Sequence, residues 1–110
     1  MPKIHITKPR RECFRISARE GKDELGHVFL YLIGNDLHEH PYALVEDLGV
    51  HETARHKGIG RMLMEALRTI ATDRHCYKII ANSHEKRTAA RKLYLSMGYR
   101  AHATEFRLDL

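Results

Sequence analysis

Cysteine is scarce in this chain of 110 residues, limited to Cys13 and Cys76. Two thiols so far apart in sequence form neither a disulfide framework nor a zinc site, and they point to a reducing compartment. Long apolar runs are missing too. No stretch approaches the roughly 18 residues that a membrane-spanning helix needs, and the opening Met1-Pro2-Lys3-Ile4-His5 has none of the apolar core of a secretory leader. A cytoplasmic protein with no membrane partner is expected. Repeats, low-complexity tracts and linkers are also lacking, so residues 1–110 are read as one domain, with 1–12 as a short N-terminal strand or arm.

Charge is plentiful. Charged residues make up 30% and hydrophobic ones 43%, which suits a globular rather than a disordered chain. A formal charge of +5 and a pI near 9.4 permit nucleic-acid docking. Yet the basic residues are scattered, apart from Arg10-Arg11, the stretch Arg55 to Arg61, and Lys86-Arg87 to Arg91-Lys92. Nucleic acid therefore stands as a minor reading. Nine histidines raise the question of a metal, but His38-Glu39-His40 is the one local cluster and lacks distant ligands, so no metal is expected.

Periodicity divides the chain into elements. Ile4 to Thr7 reads as a short strand. Phe14, Ile16 and Ala18 alternate with polar residues up to the turn Glu20-Gly21-Lys22, and Leu25 to Ile33 forms a second strand ending at Gly34-Asn35-Asp36. Tyr42 to Val50 is a third; a strict period of two puts Leu44, Glu46, Leu48 and Val50 on one face and Val45, Asp47 and Gly49 on the other. Carboxylates in mid-strand are rare without a partner or a chemical role, and Gly49 hints at a bulge or a close backbone approach. Ile59, Met62, Leu63, Ala66, Leu67, Ile70 and Ala71 then mark an amphipathic helix that ends at Asp73-Arg74-His75. Tyr77 to Ala81 is a short apolar strand suited to parallel pairing. A last helix runs from about Glu85 to Met97, with Ala90, Leu93, Tyr94 and Met97 on one face and Gly98 as its stop. Arg100 to Leu110 alternates as a closing strand. The sum is an α+β layer with helices packed on a mixed sheet.

The chemistry gathers at Arg55-His56-Lys57-Gly58-Ile59-Gly60-Arg61. Two glycines, two apart, stand where an extended segment becomes a helix, with basic residues on both sides. The first turn of a helix has unpaired N–H groups and the positive end of the macrodipole, together worth roughly 0.3–2 kcal/mol to an anion. Glycine lets such an anion reach the backbone. The dinucleotide fingerprint is excluded because its third glycine is replaced by Leu63, and the phosphate loop of nucleotide hydrolases needs a Gly-Lys-Ser/Thr that is absent.

The frame Val50-x4-Arg55-x-x-Gly58-x-Gly60 resembles the coenzyme A pyrophosphate loop of the GNAT N-acetyltransferase superfamily. Ala90-x-x-Leu93-Tyr94-x-x-x-Gly98-Tyr99 is similar to its second signature, and the resemblance covers roughly residues 13–110. It implies a GNAT-like mixed β-sheet with two main helices, in the order β-β-β(-β)-α-β-α-β, and acetyl-CoA as cosubstrate. Three features depart from the family. Met1 to Cys13 leaves no room for two N-terminal helices. Arg87 stands where an asparagine contacts the pantetheine arm. The stretch after Gly98 is short for a final pair of strands. Val45-Glu46-Asp47 and Cys76-Tyr77-Lys78-Ile79-Ile80 are similar to glucosamine-6-phosphate N-acetyltransferases, whose Asp-Cys-Ser pattern after Ala81 is not kept.

The resemblance assigns roles. Main-chain N–H groups of His56, Lys57, Gly58, Ile59, Gly60 and Arg61 would hold the pyrophosphate, with the side chains of Arg55, Lys57 and Arg61 adding charge. Leu48, Gly49 and Val50 would bond the pantetheine arm through their main chain. Arg87 and Lys92 are the candidates for the 3′-phosphate. An alkyl ammonium with a pKa of about 10.4 must lose a proton before attack, and Glu46 is the candidate base, with a structural ion pair as its other reading. Tyr94 is the candidate acid, since its phenol near pKa 10 lies about 1.5 units above a thiol; its other reading is a core tyrosine at helical spacing. His84 is a further candidate for proton transfer. An acetyl-CoA-dependent N-acetyltransferase is thus expected, acting on a protein amine or a small molecule. A homodimer is expected through the sheet edge or the C-terminal strand. The rival is a non-catalytic module that binds coenzyme A or docks on nucleic acid.

Overall fold

The computed structural model describes every residue except Met1, Arg10 and Glu85. Strand β1 (Arg11–Glu20) and strand β2 (Asp23–Ile33) form an antiparallel hairpin at Gly21, whose φ of 60° is open to glycine. Strand β3 (Tyr42–Val50) pairs antiparallel with β2, and strand β4 (Ile79–Ala81) pairs parallel with β3, giving the sheet order β1-β2-β3-β4. Helix α1 (Ile59–Asp73) makes the crossover between β3 and β4, after a 3₁₀ turn at Glu52–Ala54. Helix α2 (Thr88–Ser96) follows β4 and stops at Gly98, with φ 93°.

The core lies between one face of the sheet and α1. Val28, Leu30 and Leu32 from β2, Ala43, Val45 and Leu48 from β3, and Leu63, Met64 and Leu67 from α1 are all buried. At about 1.5–3 kcal/mol for each fully buried large side chain, this layer is the main stabilising term. The buried stripe of α1 is Ile59, Leu63, Met64, Leu67 and Ala71. Met62 and Ala66, which the spacing rule placed inward, are exposed, and Met64 is fully buried in their stead. With apolar side chains on three successive positions, periodicity does not fix the rotation of the helix; the sheet does.

Both chain ends differ from the sequence reading. Ile4 to Thr7 is not a strand, and Ile4 and Ile6 are exposed. Arg100 to Leu110 is irregular, with Phe106, Leu108 and Leu110 exposed. Alternation favours a strand only when a neighbour accepts its ladder and covers its apolar side. Strand β4 spans three residues and is half-buried at the sheet edge, so it is shorter and less enclosed than Tyr77 to Ala81 implies. The helix start placed at Glu85 lies outside the described residues; α2 begins at Thr88.

Candidate active site

The site is built on a fork in the sheet. Strands β3 and β4 are paired only through Ala43↔Ile79, Leu44↔Ile80 and Val45↔Ala81. Beyond Val45, β3 continues to Val50 while β4 ends, so the last part of β3 loses its neighbour on that side. A bulge sits at the parting. Phe29 faces Glu46 and His27 faces Gly49, so β3 carries one extra residue there, and Asp47 takes it up with φ 55°. The bulge overturns the strict alternation expected of β3. Leu48 joins Ala43 and Val45 in the buried core instead of sharing a face with Leu44 and Glu46.

Asp47 is held by His27, whose Nε2 lies 3.1 Å from its Oδ2. A Cβ added at Gly49 would stand 2.9 Å from Cε1 of the same histidine, so Gly49 gives the His27 ring its place. Neither carboxylate is buried in the strand: Glu46 is exposed, as is Asp47. Glu46 has no ion-pair partner among the described residues. It shares the outer face of the sheet with Arg15, Phe29, Tyr31 and Leu44, none of which is fully buried. Phe29 and Tyr31 stack at 6.5 Å between ring centres, with the Arg15 guanidinium 5.7 Å from the Phe29 ring.

The loop after β3 delivers the N-terminus of α1 to the fork. Gly58 caps the helix in the left-handed region, φ 78°, and the space where a side chain would begin is open for 4 Å. The first intrahelical bond runs from the Met62 N–H to the Gly58 carbonyl at 3.0 Å. The N–H groups of Ile59, Gly60 and Arg61 therefore leave the helix end with no intrahelical acceptor. This bare, outward-facing turn fits a diphosphate. Gly60 serves packing instead. A Cβ there would meet Leu93 Cδ2 at 3.1 Å, so its absence lets α2 close on α1. Ile59 is buried and anchors the turn, whereas His56, with φ 64°, and Lys57 are exposed.

The arginines are placed less as the sequence reading had them. Arg61 Nη2 donates to Ser96 Oγ at 2.8 Å, and that hydroxyl donates to the Leu93 carbonyl at 2.7 Å, so its charge ties α1 to α2. Arg55 Nε donates to the Val50 carbonyl at 3.4 Å. Arg87 Nη2 donates to the Leu48 carbonyl at 2.9 Å, in a partly buried position. Two of the main-chain carbonyls expected to face a bound arm thus face the protein's own guanidinium groups. His84 Nδ1 accepts the Lys86 N–H at 3.1 Å within the turn before α2.

Tyr94 is 8% exposed and packs in the same core cluster as Leu48 and Leu63, with its ring 5.8 Å from that of Tyr99. Burial pushes its phenol above the ordinary tyrosine value, while the positive charge of Arg87 pulls the other way. No hydrogen bond joins Tyr94 to Glu46. Sequence reasoning missed His27, which braces the bulge, and Ser96, which receives Arg61. The one available signal for His27 was its place on a strand pairing with a Gly49-containing neighbour.

A cleft of about 560 Å³ opens at the opposite end of β3, between Arg11-Glu12, the turn Gly34 to Pro41, and Arg74-His75. His38 and His40 line it, far along the chain from the glycine turn. Among the described residues no three His, Cys, Asp or Glu side chains are grouped to hold a metal ion.

The chain has counterparts among known proteins. The sequence pattern of the Acetyltransferase (GNAT) family matches residues 3–99. A glucosamine 6-phosphate N-acetyltransferase of Trypanosoma brucei brucei is 38% identical over 66 residues, 60% of this chain and 43% of that protein. The chain thus spans less than half the length of that curated relative. Among solved structures, a putative acetyltransferase from Agrobacterium tumefaciens superposes with a TM-score of 0.83 at 23% identity, over 89% of this chain and 69% of that one. An acetyltransferase from Trypanosoma brucei superposes with a TM-score of 0.78 at 27% identity and the same two coverages. The chain belongs to the GNAT acetyltransferase family.

Proposed function

We propose that the protein is an acetyl-CoA-dependent N-acetyltransferase, residues 1–110 forming one domain, moving an acetyl group directly from the thioester to a primary amine. The observation that carries this reading is the open left-handed Gly58 cap, which presents the first-turn amides of α1 beside the fork between β3 and β4. In this reading those amides bind the pyrophosphate, and the free edge of β3 from Leu48 to Val50 lies along the pantetheine arm. As the amine nitrogen bonds to the carbonyl carbon, the carbon–sulfur bond breaks. Tyr94 gives its phenolic proton to the departing sulfur, and the amine's own proton passes to Glu46 directly or through water. A phenol of ordinary pKa, about 10, is already protonated at neutral pH, as an acid must be, and burial raises that of Tyr94 further.

The acceptor approaches the outer face, where Glu46 stands among Phe29, Tyr31 and Arg15. That shallow, half-exposed face supports a protein amine, a lysine or an N-terminus, better than an enclosed metabolite. A second reading, an amino-sugar phosphate, is favoured by the 38% identity to the trypanosomal enzyme. The exposed alternation Phe106, Leu108, Leu110 supports a homodimer in which it covers a sheet edge. The two unpaired thiols support a cytoplasmic location.

Thiol release from acetyl-CoA tests the reaction, with peptides bearing a free lysine or N-terminus and glucosamine 6-phosphate as acceptors. Turnover that slows in Tyr94→Phe is expected. Saturable coenzyme A binding with no turnover on any amine would make the protein a binding module instead.

A further inference from the structure

The free edge of β3 is not bare. Carbonyls two residues apart on a strand point to the same side, and after β4 ends those of Leu48 and Val50 have no strand partner there. Each accepts instead from an arginine of the same chain. Arg87 Nη2 lies 2.9 Å from the Leu48 oxygen, and Arg55 Nε lies 3.4 Å from the Val50 oxygen. The first bond is the shorter and is partly buried, the second is exposed, and both arginines are exposed residues. An arm that carries amide N–H groups and runs along this edge must bond the same oxygens and fill the same gap. A guanidinium group bonded to the Leu48 oxygen occupies one of its acceptor directions on the side where the arm would run.

We infer that Arg87 is a resident competitor for the carrier-arm groove: it holds the Leu48 carbonyl in the free protein and gives it up when the arm enters. The inference rests on the acetyltransferase reading and deepens it. It also replaces the expectation that Arg87 serves the 3′-phosphate. A charged donor to a carbonyl is among the stronger hydrogen bonds, so its release opposes binding of the arm whatever lies at the phosphate end. Arg87 shares its surroundings with Tyr94, whose phenol feels its charge. Its departure from Leu48 therefore also alters the field around the candidate acid.

Two probes separate the arm from the phosphates: coenzyme A, and acetyl-pantetheine, which has the amides but no phosphate. Calorimetric titration of wild type, Arg87→Met and Arg87→Lys is expected to show both probes bound about three- to tenfold tighter by the Met variant, which keeps the stem and loses the donors. The Lys variant should fall between. In the free protein, the Leu48 carbonyl carbon resonance should move in Arg87→Met, and wild type should show the same movement on adding acetyl-pantetheine. Equal or weaker binding of both probes by the Met variant overturns the inference and leaves the acetyltransferase reading standing. So does a loss confined to coenzyme A, which would make Arg87 a phosphate anchor. If neither probe binds any of the proteins, the acetyltransferase reading falls and this inference with it. Should Arg87→Met fail to fold, Arg87→Leu, which also lacks donors, is read in the same way.

Discussion

His27 and Asp47 meet across the β2–β3 pair at 3.1 Å, and their contact braces the single extra residue that β3 carries just past the end of its pairing with β4. Asp47 sits at φ 55°, in a region that asparagine and glycine enter readily and β-branched residues do not. Asp47→Asn should therefore be tolerated, whereas Asp47→Val should cost about 1–2 kcal/mol through its backbone alone. Urea unfolding would show the difference as a lower midpoint with an unchanged slope.

The two glycines of the α1 turn should fail in different ways. Gly58→Ala meets no neighbour but carries the left-handed penalty of about 1–2 kcal/mol. Gly60→Ala has an ordinary helical backbone and presses on Leu93 Cδ2, with an overpacking cost of about 1–3 kcal/mol. Adding Leu93→Ala should recover part of the loss at Gly60 and none of it at Gly58. Coupling energies from the two double-mutant cycles make that comparison.

In the proposed mechanism Tyr94→Phe removes the proton that the leaving sulfur takes, while it keeps the buried ring. A fall in kcat of roughly 10²-fold is expected, the lower end of what general acids contribute, with little change in coenzyme A affinity. Equal kcat for both proteins would return Tyr94 to a packing role.

Glu46→Gln keeps the shape of the side chain and, in the proposed mechanism, loses the base. On a panel of lysine peptides its kcat should drop by roughly 10²-fold at neutral pH and recover toward the wild-type value at high pH, where the amine loses its proton unaided. A loss that stays constant with pH would point to acceptor binding instead.

Alkali should unfold the protein. Burial raises the phenols of both Tyr94 and Tyr99 above the usual tyrosine value, with Tyr94 itself adding to the rise at Tyr99. A folded pKa above the unfolded one, about 10, means that the contribution to stability is whole below that pH and is lost as pH rises through the folded values. The urea midpoint should fall steeply above about pH 10, and Tyr99→Phe should flatten that fall.

Much of this protein is legible in its sequence because local chemistry dictates it. The glycine turn, the apolar strands Leu25 to Ile33 and Tyr42 to Val50, the α1 crossover and the Gly98 stop each rest on residues close in the chain, and the structure places them within a few residues of the expected bounds. What only the tertiary structure decided depends on partners distant in sequence. The rotation of α1 was set by the sheet that buries Met64, and the bulge at which Gly49 hinted has its extra residue at Asp47, in contact with His27 of another strand. Arg61 went to Ser96, and Arg87 to a carbonyl that became available only because β4 ends early. The tails show the same limit from the other side: Arg100 to Leu110 has the alternation of a strand but no neighbour to complete it. Periodicity and turn residues report what a segment prefers, whereas a hydrogen-bond partner or a packing surface exists only once the chain has brought remote segments together.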